Sequence, residues 1–157
     1  MNKYLAVFFL ACTVVLTCRE CAAQTFPSET NSYNEAIASM KMVTRMTDVL
    51  SVECDTRFPT LQQEIDETVA SWKRTNKRAI GRADAYWTAL SEQDPTGLAG
   101  ILEDAEAKIH ATVAELAGVP NKGGSPQLLA YCKRYFDNLN GWREQTPRLH
   151  EILEKEI

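Results

Sequence analysis

Two cysteines, Cys54 and Cys132, constrain this chain more than any other feature of it. The remaining three of its five cysteines, Cys12, Cys18 and Cys21, lie in an N-terminal stretch that reads as an export signal. An exported chain keeping an even pair forms a disulfide by default. The two residues are 78 positions apart, a closure that the chain-entropy model values at roughly 4 kcal/mol. Domains of this kind have a net stability on the order of 10 kcal/mol, so the cross-link is a large share of it. Any fold must therefore carry the stretch Cys54-Asp55-Thr56-Arg57-Phe58-Pro59-Thr60 to the segment holding Cys132.

The export signal has three parts. Lys3 supplies the positive start, the apolar run from Tyr4 to Thr17 the hydrophobic centre, and Cys21-Ala22-Ala23 the small-residue cleavage pattern before Gln24. Residues 1–23 are thus expected to leave, and residues 24–157 to form a single domain that is periplasmic or secreted. The apolar run falls short of the about 20 residues that span a bilayer, and no later run is longer. An alternative is lipidation at Cys18, because Val15-Leu16-Thr17 loosely resembles a bacterial lipobox, although Thr17 fits poorly there. The chain is acidic, with 21 Asp and Glu against 17 Lys and Arg. That balance argues against nucleic acid as a partner and against a polybasic membrane anchor.

Helical spacing accounts for nearly everything after residue 31. With Asn31 or Ser32 as cap, Ala36, Met40, Val43, Thr47, Leu50 and Cys54 recur at intervals of four and three on one face, widened by Met42, Met46 and Val49. This predicts a helix over 32–55, stopped by Phe58-Pro59, since the residue before proline is pushed out of the α region. Thr60 and Gln63 then form a capping-box pair, opening a second helix with Leu61, Ile65, Val69, Trp72, Ile80, Ala83, Trp87 and Leu90 inward. Asn76 is the polar exception on that face and is expected to hydrogen-bond across to another helix. Gly81 costs about 1 kcal/mol of helix propensity, so a kink is expected near 78–81.

Asp94-Pro95 starts a third helix, with Leu98, Leu102, Ala105, Ile109, Val113 and Leu116 as its buried face, ended by Gly118 and Pro120. Residues 119–125 are loop. Ser125-Pro126 opens a fourth helix carrying Leu128, Leu129, Cys132, Tyr135, Phe136 and Leu139, and a short last helix follows Thr146-Pro147. The expected fold is all-α: an antiparallel four-helix bundle with a short C-terminal helix. In that topology the first helix ends at the pole where the fourth begins, which brings Cys54 near Cys132.

Chemistry-bearing motifs are sparse. There is no Gly-x-Ser-x-Gly elbow, and Gly123-Gly124-Ser125 lacks the lysine of a phosphate-binding loop. His110 and His150 have no nucleophile beside them in sequence. Glu106 and His110, like His150 and Glu154, are four apart and could share a helix face, but two ligands are at most half a metal site. Cys18-Arg19-Glu20-Cys21 has haem-attachment spacing without the following histidine. The chain is therefore read as non-enzymatic, with no cofactor and no metal site.

Charge is the uneven feature. Lys73, Arg74, Lys77, Arg78 and Arg82 fall within ten residues of an acidic chain, three of them at i, i+4 and i+8. A solvated helix face is the plain reading, and a docking patch for an acidic partner or a phosphate group is the functional one. Tyr86 and Trp142 are the candidate exposed aromatic anchors. The Met40, Met42 and Met46 cluster reads as gap-filling core.

The pattern Cys54-x3-Phe58-Pro59-x12-Trp72-x3-Asn76 resembles the opening of small exported helical proteins of Gram-negative bacteria, many without assigned function. In kind, a periplasmic all-helical domain with one disulfide is similar to the amidase-immunity proteins of interbacterial secretion systems, whose inhibitory residues find no match here. Export, the missing catalytic set and the charge patch together lead to the expectation of an inhibitor or immunity-type module that binds a protein partner through the basic second helix and nearby aromatics. Two alternatives are a periplasmic stress chaperone with an apolar groove and a small-ligand or haem carrier using the bundle interior.

Overall fold

A computed structural model describes residues 32–117 and 124–155. The signal segment 1–23, Asn31 and most of the loop at 119–125 lie outside those residues. Every described element is helical: α1 (Tyr33–Arg57), a 3-10 turn (Pro59–Leu61), α2 (Gln62–Thr75), α3 (Lys77–Gln93), α4 (Pro95–Ala117), α5 (Pro126–Asn140), α6 (Trp142–Gln145) and α7 (Pro147–Glu154). No described helix is long and apolar enough to cross a membrane.

The central element is α1, which packs against α2, α3, α4, α5 and α7. It starts at Ser32, whose hydroxyl accepts from Glu35 N at 3.3 Å while the Glu35 carboxylate accepts from Ser32 N at 3.2 Å. This reciprocal cap satisfies two otherwise orphaned amides. All six residues of the expected stripe, Ala36 to Cys54, are buried, joined by Ile37 and Val49. Burying a side chain such as Ile37, Met40 or Leu50 stabilises the fold by about 2 kcal/mol each. Across the core the Thr47 and Tyr135 hydroxyls lie 2.7 Å apart, tying α1 to α5. Burial pushes the Tyr135 phenol far above its usual range, so it stays neutral.

Phe58 ends α1, and its own N–H closes on Cys54 O. A Cβ added at Gly124, just before α5, would collide with the Phe58 ring. The end of α1 and the start of α5 thus meet at one pole, and there Cys54 and Cys132 form the disulfide, with Cα atoms 6.0 Å apart. Ser125 caps α5 by accepting from Leu128 N at 3.0 Å. Asp94 receives Gly97 N at 3.0 Å at the start of α4.

Several local expectations change. The Thr60–Gln63 capping box does not form: Pro59–Leu61 is a 3-10 turn, α2 has no side-chain cap, and Gln63 donates to Glu67 one turn on. The irregularity in the second segment sits at Asn76, five residues before Gly81. On α4 only Ala105 and Val113 of the expected face are buried, with Ile109 and Leu116 packed at the edge of the core. Leu98, Ile101 and Leu102 keep partial exposure, because the first half of α4 lies over the charged flank of α1 at Lys41, Thr44, Arg45 and Asp48.

Candidate binding surface

The basic cluster lies where α2 meets α3. Asn76 adopts φ −101°, ψ 11°, away from helical values, although Asn76 N still reaches Trp72 O and Ile80 N still reaches Asn76 O. The side chain explains the distortion. Asn76 Nδ2 donates to Trp72 O at 2.8 Å, competing with the backbone as short amide side chains do. Its Oδ1 faces His150 Nε2 of α7 at 2.7 Å. The expected hydrogen bond of Asn76 to another helix is therefore present, and it is made in the core, where Asn76 is 1% and His150 3% exposed.

Around this bend Lys73, Arg74, Lys77 and Arg78 are exposed. Lys73 Nζ pairs with Asp48 of α1 at 2.7 Å, and an Arg74 Nη lies 3.5 Å from Ser71 Oγ. Exposed pairs of this kind contribute about 0–1 kcal/mol, so a partner's carboxylates can displace them. Arg82 belongs elsewhere. Its guanidinium donates to Leu153 O at 2.5 Å and to Lys155 O, closing the C-terminus of α7, where orphaned carbonyls need donors. Of the five expected docking cations, Arg82 is thus a capping residue, and the i, i+4, i+8 alignment is interrupted at Asn76.

The two aromatic anchors also divide. Tyr86 is half-buried, donates to Asn34 Oδ1 at 2.7 Å and sets its ring edge-on to Tyr33 at 5.6 Å. Trp142 is 0% exposed and offers no external anchor. It opens the one-turn helix α6, and its ring packs against Trp72 at 5.6 Å and His150 at 5.0 Å. Met40 is fully buried and Met46 packs against the core.

The histidine-carboxylate pairs separate as well. His150 is not on a surface beside Glu154. Glu154 instead forms a bidentate pair with Arg143 at 2.7 and 2.6 Å, which holds its carboxyl below the usual carboxylate range. His110 Nδ1 lies 3.1 Å from Glu53 of α1 and Nε2 3.8 Å from Glu106. Arg45 donates to Glu106 and holds its carboxyl low. These contacts tie α4 to α1. Among the described residues no group of three or more His, Cys, Asp or Glu is arranged to hold a metal ion.

The signal for His150 was present but ambiguous: it sits one position from Leu149 and three from Leu153 on a short helix, and only its distant partner Asn76 fixes its side. Comparison with protein-family models, curated proteins and solved structures finds no match to this chain.

Proposed function

We propose that this is an exported, non-catalytic binding protein that occupies an acidic face of a periplasmic protein partner, as an inhibitor or immunity-type module does. We read its helices as an antiparallel four-helix bundle, with the α2–α3 corner as the docking surface and α6–α7 as an added C-terminal layer. The observation that carries this reading is the cluster of exposed cations at the corner, Lys73, Arg74, Lys77 and Arg78, on a chain of net charge −4. Opposite charges meeting across an interface raise the rate of encounter and fix register. The docking is therefore expected to weaken as salt rises.

The chaperone alternative needs an exposed apolar groove. The groove of about 340 Å³ between α1 and α4 carries five charged side chains, Lys41, Arg45, Asp48, Glu103 and Glu106, which favours the polar docking reading over it.

The test is affinity capture from the native envelope with mass spectrometry, repeated with Arg74, Lys77 and Arg78 changed together to Glu. One stoichiometric partner, held by the parent protein and lost or weakened at least about tenfold in the charge-reversed variant, supports the proposal. Equal retention by a variant with an unchanged circular dichroism spectrum refutes the surface.

A further inference from the structure

A cavity of about 60 Å³ opens between the last turn of α2 and the junction of α5 with α6, lined by Trp72, Thr75, Asn140, Arg143 and Glu144 among others. Trp72 is 4% exposed, and its indole N–H is buried without a hydrogen-bond partner among the described residues. An indole nitrogen can only donate, and a buried donor left without an acceptor is destabilising. Whatever fills the cavity must therefore bring an acceptor. Asn76, on the same wall, has none to give: its Oδ1 faces His150 Nε2, and its Nδ2 is committed to Trp72 O.

Charge narrows the choice further. Arg143 is answered by Glu154 in the bidentate pair at 2.7 and 2.6 Å. Arg74, which reaches Ser71 of the cavity wall at 3.5 Å, is offset in sign by the exposed Glu144. The site is thus balanced and favours a neutral occupant. A carboxylate would supply the acceptor but set a second negative charge beside Glu144, and a cation supplies no acceptor at all. A group carrying both a carbonyl oxygen and N–H donors suits the indole and the Glu144 carboxylate together, while Thr75 and Asn140 can either donate or accept. The volume equals that of about two waters, which is the room one carboxamide needs.

We propose that this cavity is a carboxamide-binding subsite, in which Trp72 Nε1–H donates to the amide oxygen and Glu144 accepts from the amide nitrogen. The source of the group rests on the docking reading above: it is an asparagine or glutamine side chain of the protein partner, inserted as the partner's acidic face meets the α2–α3 corner. Trp72 and Thr75 share one helical turn with Lys73 and Arg74, so the subsite adjoins the docking cations. An amide that reproduces the hydrogen bonds of the water it displaces keeps the polar contacts and releases that water.

The test uses the disulfide-bonded protein and free acetamide, which is the asparagine side chain cut at its Cβ. No partner is needed, so the result stands apart from the capture experiment that decides the docking surface. The indole N–H signals are followed by NMR during titration. That of Trp72 is expected to shift saturably, with a dissociation constant on the order of 10 mM for a ligand of about four non-hydrogen atoms. That of Trp87, which does not line the cavity, should stay in place. Acetate, equal in shape but charged and without N–H groups, should bind at least about tenfold more weakly. Glu144→Ala, at an exposed position, should weaken acetamide at least about threefold, and Trp72→Phe should abolish its binding. A Trp72 signal that does not move by about 200 mM acetamide, leaving the cavity to water alone, overturns the proposal. So does acetate binding as tightly as acetamide, or an affinity unchanged in Glu144→Ala. Should Trp72→Phe fail to fold, the parent protein and Glu144→Ala decide between these outcomes.

Discussion

Removing the Cys54–Cys132 bridge tests the architecture most directly. Both cysteines are fully buried, at the pole where the end of α1 meets the start of α5. The bridge closes a loop of 78 residues, and constraining the unfolded chain over that length stabilises the protein by about 4 kcal/mol at 25 °C. Alanine is the appropriate replacement, because serine would leave a hydroxyl in an apolar site without a partner. Cys54→Ala, Cys132→Ala and the double variant should each lose about 4 kcal/mol, since either single change abolishes the same cross-link. Loss of the last sulfur adds only a packing increment of about 1 kcal/mol. Urea unfolding followed by helical circular dichroism measures this, and the slope should steepen as the unfolded chain, no longer cross-linked, exposes more surface. Two single variants whose losses summed to that of the double variant would refute the reasoning, because the stabilisation would then lie in packing of the two sulfurs. So would an unchanged slope.

Two other perturbations separate burial from binding and charge from packing. Trp142→Ala should cost about 3–5 kcal/mol in urea unfolding, the range for truncating a buried aromatic; a loss under about 1 kcal/mol would place the ring outside the core. Glu154, held below its ordinary value of 4.5 by Arg143, binds fewer protons folded than unfolded. Its stabilising effect is therefore complete above pH 4.5 and is lost as pH falls through the folded value. The gap in unfolding midpoint between the parent and Glu154→Gln should accordingly be widest near neutral pH and close in acid, and a gap independent of pH would refute the pairing.

Much of the local structure was legible in the chain. Ser32, one of two candidate caps, Asp94 with Pro95 and Ser125 with Pro126 start helices because each cap acts on amides within one turn, so the information is carried by neighbouring residues. The buried faces of α1 and α5 followed from spacing, for on a long helix with many apolar positions only one phase places them together. The candidate surface was only half legible. Lys73, Arg74, Lys77 and Arg78 are exposed as a charged run should be, but nothing near Arg82 in sequence announces that it closes α7, because the carbonyls of Leu153 and Lys155 are supplied from more than 70 residues away.

The sequence by itself determined that this chain is helical, where most of its helices start and stop, and which two cysteines must meet. Only the tertiary structure decided that the bend falls at Asn76 rather than Gly81, that Trp142 and His150 are core residues, and that the leading half of α4 stays partly open. The division has one physical cause. Caps and periodicity are set by interactions within a turn or two, so they are written in adjacent residues. Burial of an ambivalent side chain such as Asn, His, Trp or Arg depends on whether a distant segment brings it a partner, as His150 does for Asn76 across 74 positions.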